Sequence, residues 1–351
     1  MSQPNLDHPS PSRGLRTAPY RTRLAALGAL LALTAVGATG CAGADTGSRQ
    51  EGRASGTTFE SCGRTVELDR APKRVAITTD AIADTLFALG VGDRIVAKTR
   101  GESAPAPELK ERLAALPGLG TRNPNTEALI AARPDLLITD QVEKVSGKGG
   151  SPSVAELKRL GVATYVVGGG CAADLSADTS GLEALDADLR QLGAIFGVET
   201  RARALAGTLR GSLDEVRRRI AREPGREVAE ISQVAGQLYV TTGGLADDVL
   251  ERAGGKNVFA DLPGQFAPVS AEQIVARNPQ AIIVDDFTAT TKGRKDAIAF
   301  LKRTFPTVDA VKKGRFLVID AAKTGARGST RPVEGVTEIA RFLHPSTSGT
   351  R

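Results

Sequence analysis

From Arg74 onward, short apolar runs alternate with stretches whose apolar positions recur every three or four residues. The runs Arg74–Ile77, Ile95–Lys98, Leu136–Thr139 and Thr164–Val167 predict strands, and Ala81–Leu89, Thr126–Ala132 and Ser153–Leu160 predict the helices between them. The pattern resumes with strands at Val228–Ser232, Leu238–Thr241, Ala281–Val284 and Phe316–Ile319. Helices are predicted there at Ala246–Ala253, Ala271–Arg277 and Ala297–Arg303. Strands and helices alternating at this spacing predict parallel-sheet α/β units, in two blocks.

Between the blocks, Leu205, Leu209, Leu213, Val216 and Ile220 fall on one face of a helix spanning Glu199–Arg222, which Pro224 and Gly225 stop. A helix of that length runs ~36 Å, long enough to join two lobes as a stiff strut that permits only small hinge motion. The blocks also share an internal repeat. Asn125-Thr-Glu127-Ala-Leu-Ile-Ala-Ala-Arg-Pro134-Asp-Leu-Leu-Ile138 aligns without gaps to Ser270-Ala-Glu272-Gln-Ile-Val-Ala-Arg-Asn-Pro279-Gln-Ala-Ile-Ile283. Each copy reads as an N-cap, a glutamate in the first turn, a short helix, a proline stop and a buried strand, and Gln273 can close a capping box with Ser270. Alone, each glutamate would merely complement its helix dipole. Their equivalent places in the two blocks give Glu127 and Glu272 a second reading as a matched pair.

The N-terminal segment has a different character. Arg13, Arg16, Arg21 and Arg23 precede the apolar run Leu24–Ala38, which is too short to span a bilayer and ends in Thr39 and Gly40 before Cys41. This is the order of a secretory signal, expected over residues 1–40. Cys41 after Gly40 resembles a bacterial lipobox, with Ala38 where such motifs usually carry Leu. The alternative is a signal cut nearby with Cys41 incidental. Residues 41–57 lack apolar periodicity and read as a flexible tether. The protein is therefore expected to be exported and lipid-anchored to the outer face of a bacterial plasma membrane. With Cys41 assigned to lipid, Cys62 and Cys171 remain, an even pair in an oxidising compartment. That favours a disulfide over two buried thiols.

Composition narrows the chemistry. The net charge is +6, and half of it sits in the first 40 residues, so nucleic acid is not an expected partner. There is no Trp, and the two histidines, His8 and His344, stand at opposite ends of the chain. A multi-His metal site, a Ser-His or Cys-His nucleophile and an H-E-x-x-H motif are all excluded. No G-x-S-x-G, S-x-x-K or Walker loop occurs. Gly168-Gly169-Gly170 follows a predicted strand but runs into Cys171 and a polar loop, without the context of a dinucleotide site. No catalytic role is expected.

Four segments carry a family resemblance: Ala71-Pro-Lys-Arg74-Val-Ala-Ile77 running into Asp84-Thr-Leu-Phe-Ala-Leu-Gly90, the two Glu…Pro repeats, and Thr242-Gly-Gly-Leu-Ala-Asp-Asp-Val-Leu-Glu-Arg-Ala-Gly-Gly-Lys-Asn-Val-Phe259. In this order they resemble the substrate-binding proteins of ABC importers for iron–siderophores, haem and cobalamin, over residues 58–343. The opening Phe59-Glu-Ser-Cys62-Gly-Arg-Thr-Val66, with Cys171, is similar to a lipoprotein branch of the iron–siderophore group. The resemblance implies an α/β protein with two Rossmann-like lobes joined by one long helix and a ligand cleft between them. The lobes are expected over residues 58–198 and 224–345, with the connecting helix at 199–223. It further implies that Glu127 and Glu272 dock on arginines of a permease dimer that works with its ATPase, and that the protein is a monomer.

Open α/β sheets bind at the C-terminal ends of their strands. That rule nominates Thr79, Asp80, Thr99, Arg100, Gln141, Gln233, Thr242, Phe287 and the loop Lys323–Arg331, which carries Arg327 and Arg331. The resemblance adds Arg122, and Tyr239 is a candidate whose bland alternative is the core. Haem would need an axial His, Tyr, Met or Cys, leaving only Tyr165 and Tyr239 in the body. An already chelated ferric ion needs no protein ligand, and arginines suit an anionic chelate. The expected cargo is a ferric siderophore, with no resident cofactor. A corrinoid or haem, or a surface sensor lipoprotein without a transport role, are the alternatives.

Overall fold

The computed structural model describes residues 56–100, 104–172 and 180–345; the segment expected to be a signal peptide, Cys41 and most of the expected tether lie outside the described residues. The body opens with a hairpin of β1 (Thr57–Ser61) and β2 (Arg64–Leu68). Its two-residue turn is Cys62-Gly63, both with positive φ (51° and 69°), as tight hairpin turns require. The turn is fixed by the disulfide Cys62–Cys171, whose Cα atoms are 5.2 Å apart.

The N-terminal lobe follows as β3 (Val75–Ile77), α1 (Asp80–Ala88), β4 (Ile95–Lys98), α2 (Lys110–Ala114), α3 (Thr126–Ala132), β5 (Leu136–Thr139), α4 (Val154–Arg159), β6 (Ala163–Val166) and α5 (Glu183–Phe196). Its four strands run parallel in the order β4-β3-β5-β6. Leu137, Leu129, Val145 and Leu157 pack on one face of the sheet, and Ile77, Ile138, Leu86 and Leu189 on the other. Both faces are covered, as an all-parallel sheet demands. Sequence periodicity left α5 unassigned, although Leu185, Leu189, Leu192 and Phe196 do recur at helical spacing and all are buried.

The connecting helix α6 (Glu199–Ile220) has 22 residues, about 33 Å. Its predicted apolar face is the one that packs: Val216 is buried, and Leu205, Leu209, Leu213 and Ile220 lie against the same core cluster.

The C-terminal lobe comprises β7 (Arg226–Val234), β8 (Gln237–Thr241), α7 (Gly244–Arg252), β9 (Gly255–Asn257), β10 (Phe266–Val269), α8 (Ala271–Arg277), β11 (Ala281–Asp286), α9 (Thr291–Thr304), α10 (Asp309–Lys312), β12 (Phe316–Asp320) and α11 (Arg331–Leu343). The strand order is β10-β8-β7-β11-β12, with β9 beside the first half of β7. This sheet is mixed rather than parallel throughout, because β7 and β8 are joined only by Ala235-Gly236. So short a connection permits an antiparallel pair and no crossover.

The internal repeat is real structure. Asn125 accepts from the amides of Glu127 (2.9 Å) and Ala128 (3.1 Å), and Ser270 and Gln273 close the expected capping box. Arg133 and Asn278 end the two helices in the left-handed region, at φ 47° and 41°. The lobes are not independent cores. One apolar cluster runs from Phe59 and Ile77 through Leu189 and Val216 to Val249, Ile283, Ile319 and Leu343, so α5, α6, α7 and α11 form a layer common to both sheets.

A charged cleft between the lobes

The loops after β3, β4 and β5 carry much of the predicted chemistry, and in the structure most of it is internally engaged. Thr79 caps α1, its hydroxyl accepting from the Ala81 amide. Asp80 is buried and pairs with Lys98 at 2.8 Å, while Asp140 pairs with Lys144 at 3.0 Å and accepts from the Thr78 hydroxyl at 2.7 Å. Gln141 is half-buried, its backbone bracketing the Thr139 hydroxyl. Thr99 is buried and donates to the Thr78 carbonyl. Arg100, Arg122 and Phe287 are exposed. Gln233 lies within β7, not in a loop, because that strand runs on into its hairpin. Tyr239 is half-buried on β8, paired with Ser232 and Pro268. Thr242 donates to the Gly264 carbonyl at 2.8 Å, and Arg327 donates to the Gln265 side chain at 2.5 Å.

A cavity of about 640 Å³ opens between the lobes, at the C-terminal ends of β11 and β12 and against the flank of α1. From the N-terminal lobe it is walled by Asp84 and Phe87 on α1 and by residues 106–109. From the other lobe it is walled by Asp286, the start of α9, Asp320, Lys323 and one face of α11. Of the residues nominated from sequence for ligand binding, Arg331 lines this cavity, together with Lys323 and Thr330 of the same nominated loop. Arg331 is buried, ion-paired to Asp320, and donates to the Ala104 carbonyl across the lobes at 3.1 Å. It therefore builds the wall. Lys323 reaches Glu338 at 2.8 Å and lies 3.8 Å from Glu334. That arrangement depends on Gly335, because a Cβ there would fall 1.8 Å from the Lys323 carbonyl oxygen.

Asp84 sits where the lobes meet. Its Oδ2 accepts from the Ser329 hydroxyl at 2.8 Å, and its Oδ1 has no hydrogen-bond partner. Burial pushes its carboxyl up to about 6, against the pull of the Ser329 bond and the Arg331 charge. Behind the same wall, Asp285 accepts from Thr324 at 2.9 Å and lies beside the fully buried Glu230. Desolvation, reinforced for Glu230 by Asp285, holds both carboxyls well above their usual range. Asp84 and Glu108 escaped the strand-end rule because a helix flank and a long loop carry them, whereas Asp286 does stand at the end of β11, next to the nominated Phe287.

Glu127 and Glu272 are exposed in the first turns of α3 and α8. One turn further on, each helix presents an exposed aliphatic residue, Ile130 and Val275. The carboxyl of Glu272 is held below its usual range by its own backbone amide and by the Ser270 hydroxyl.

Two lobes, one long connecting helix and an interlobe cleft define a solute-binding protein. The chain belongs to the periplasmic binding protein family, whose model matches residues 75–322. It is 24% identical over 296 residues to the uncharacterized ABC transporter substrate-binding lipoprotein YvrC of Bacillus subtilis, covering 83% of this chain and 86% of that one. It is 26% identical over 220 residues to the vitamin B12-binding protein of Yersinia pestis, covering 61% and 70%. Among solved structures, a periplasmic binding protein from Veillonella parvula superposes with a TM-score of 0.69 at 20% identity, covering 83% of this chain and 98% of that one. A periplasmic heme binding protein from Pseudomonas aeruginosa superposes at 0.61 and 26% identity, covering 78% and 94%. The protein is thus a solute-binding protein of this family, a binding component rather than an enzyme, and the Bacillus subtilis relative of the same kind serves an ABC transporter. Among the described residues, no helix is long and apolar enough to cross a membrane.

Proposed function

We propose that the protein captures a ferric siderophore and delivers it to its permease, held at the membrane by a lipid on Cys41. The observation that carries this reading is the make-up of the cavity wall. Its described lining residues offer carboxylates, cations and hydroxyls, and include no His, Tyr, Met or Cys to serve as an axial haem ligand. Tyr165 is buried, with its hydroxyl donated to Asp188 at 2.7 Å, and Tyr239 is outside the cavity lining. Among the described residues no cluster of three His, Cys, Asp or Glu could hold a bare metal ion. Iron already wrapped by a chelator needs only shape, charge and hydrogen bonds, and the volume falls in the range of ~300–1,000 Å³ common for small-molecule sites. In the same reading, Glu127 and Glu272 dock on permease arginines, with Ile130 and Val275 beside them on the same surfaces.

The second reading, a corrinoid, is favoured by the similarity to the vitamin B12-binding protein. Thermal-shift titration against ferric siderophores, haem and cobalamin separates the two. Ligand at a hundred times its Kd stabilises the fold by ~2.7 kcal/mol. A shift with a ferric chelate and none with its iron-free form supports iron import. A shift with cobalamin or haem alone would overturn it.

A further inference from the structure

The cavity is electrostatically lopsided. Among the described residues six carboxylates line it, those of Asp84, Glu108, Asp286, Asp320, Glu334 and Glu338, against three cations, Arg294, Lys323 and Arg331. Arg331 is already engaged by Asp320, and Lys323 by Glu338. Among the described lining residues, Arg294 is then the cation outside these ion pairs to set against Glu108, Asp286 and the more distant Glu334, while the cationic charge acting on Asp84 is that of the already paired Arg331. A second observation points the same way. Asp84 is only 7% exposed, yet its Oδ1 has no donor. A buried carboxylate oxygen without a donor is costly, and because Asp84 is a lining residue, a cationic donor that the side chain turned to meet would relieve that cost.

We propose that the cleft selects a ferric chelate bearing a positively charged ammonium group, seated against Asp84, Glu108 and Asp286. This deepens the ferric-siderophore reading and rests on it. The charge arithmetic of the cargo follows from its ligand type. A ferric ion held by three hydroxamates is neutral at its core, so a pendant amine makes the whole complex a cation. Three catecholates leave a strongly anionic complex, which this wall would repel.

The test uses the purified protein and three probes: ferrioxamine B, which carries a pendant ammonium; its N-acetylated form, of nearly the same size without that charge; and ferric enterobactin, an anion. The ammonium form is expected to bind about tenfold or more tightly than the acetylated form, the scale of a charged hydrogen bond. That preference should shrink in Glu108→Gln and in Asp84→Asn, and with added salt. Glu108 is exposed, so its variant tests the idea without disturbing the core. Equal affinity for the two forms, an undiminished preference in both variants, or tightest binding of the anion would overturn the ammonium proposal and leave iron-chelate capture standing. Binding of cobalamin or haem with no response to any of the three chelates would instead remove the ferric-siderophore reading itself.

Discussion

The hydroxyl of Ser329 donates to the carboxylate of Asp84 at 2.8 Å, joining residues 245 positions apart and pinning one lobe to the other. Because folding raises the Asp84 carboxyl from 3.8 to about 6, the folded state binds that proton more tightly than the unfolded chain. Its contribution to stability is therefore greatest below about pH 4 and diminishes as pH rises to about 6. Asp84→Asn is expected to stabilise the fold by about 1–2 kcal/mol at pH 7.5 and to change little near pH 4. Urea midpoints at the two pH values check this, and an equal effect at both would refute it. Asp188, Glu230 and Asp285 are shifted in the same direction, so wild-type stability should rise as pH falls from 7.5 towards 5.

Asp188 is almost completely buried in the N-terminal lobe, where it accepts from the Tyr165 hydroxyl and from the Gly168 amide. Tyr165→Phe keeps the edge-on contact with Phe59 but removes one of those donors. A cost of about 1–3 kcal/mol is expected from chemical denaturation, because an acceptor is left short in a dry site. Ligand affinity should be unaltered, since neither residue lines the large cavity.

The Cys62–Cys171 bridge closes a loop across a sequence separation of 109. In the chain-entropy model such a loop is worth ~4–5 kcal/mol. The double variant Cys62→Ser with Cys171→Ser should show a matching loss in denaturant-melt stability. Reductant should lower the wild-type Tm towards that of the variant and leave the variant itself unchanged.

Glu127→Ala and Glu272→Ala should each reduce uptake by cells while leaving the Kd for the chelate unaltered, because both carboxylates stand on outer helices away from the cavity lining. Their combination should reduce uptake further than either alone. Full uptake by the double variant would remove the docking role.

Much of the fold was legible because buried strands and amphipathic helices leave a period in the sequence. The five apolar positions of α6 and the matched caps at Asn125 and Ser270 illustrate this. The mixed C-terminal sheet was less so, since its reversal rests on the brevity of Ala235-Gly236 rather than on any apolar pattern. The candidate site was the least legible part. A rule about strand ends finds loops, but it cannot tell that Asp80 will be consumed by Lys98 or that Arg331 will be turned onto Asp320. Nor can it see that α1 contributes its flank, through Asp84, to the same hollow as the β11 terminus.

The β1–β2 hairpin stands at the start of the described body, and its turn is bonded covalently to the segment beyond β6. A pull applied from the N-terminal side could peel β1 away, but it would then meet a sulfur–sulfur bond instead of a zipper of hydrogen bonds. Mechanical load would pass at Cys62 into the segment that follows β6, bypassing the hairpin. With the lipid proposed on Cys41, each tug on the body would be borne by a covalent bond of its N-terminal lobe.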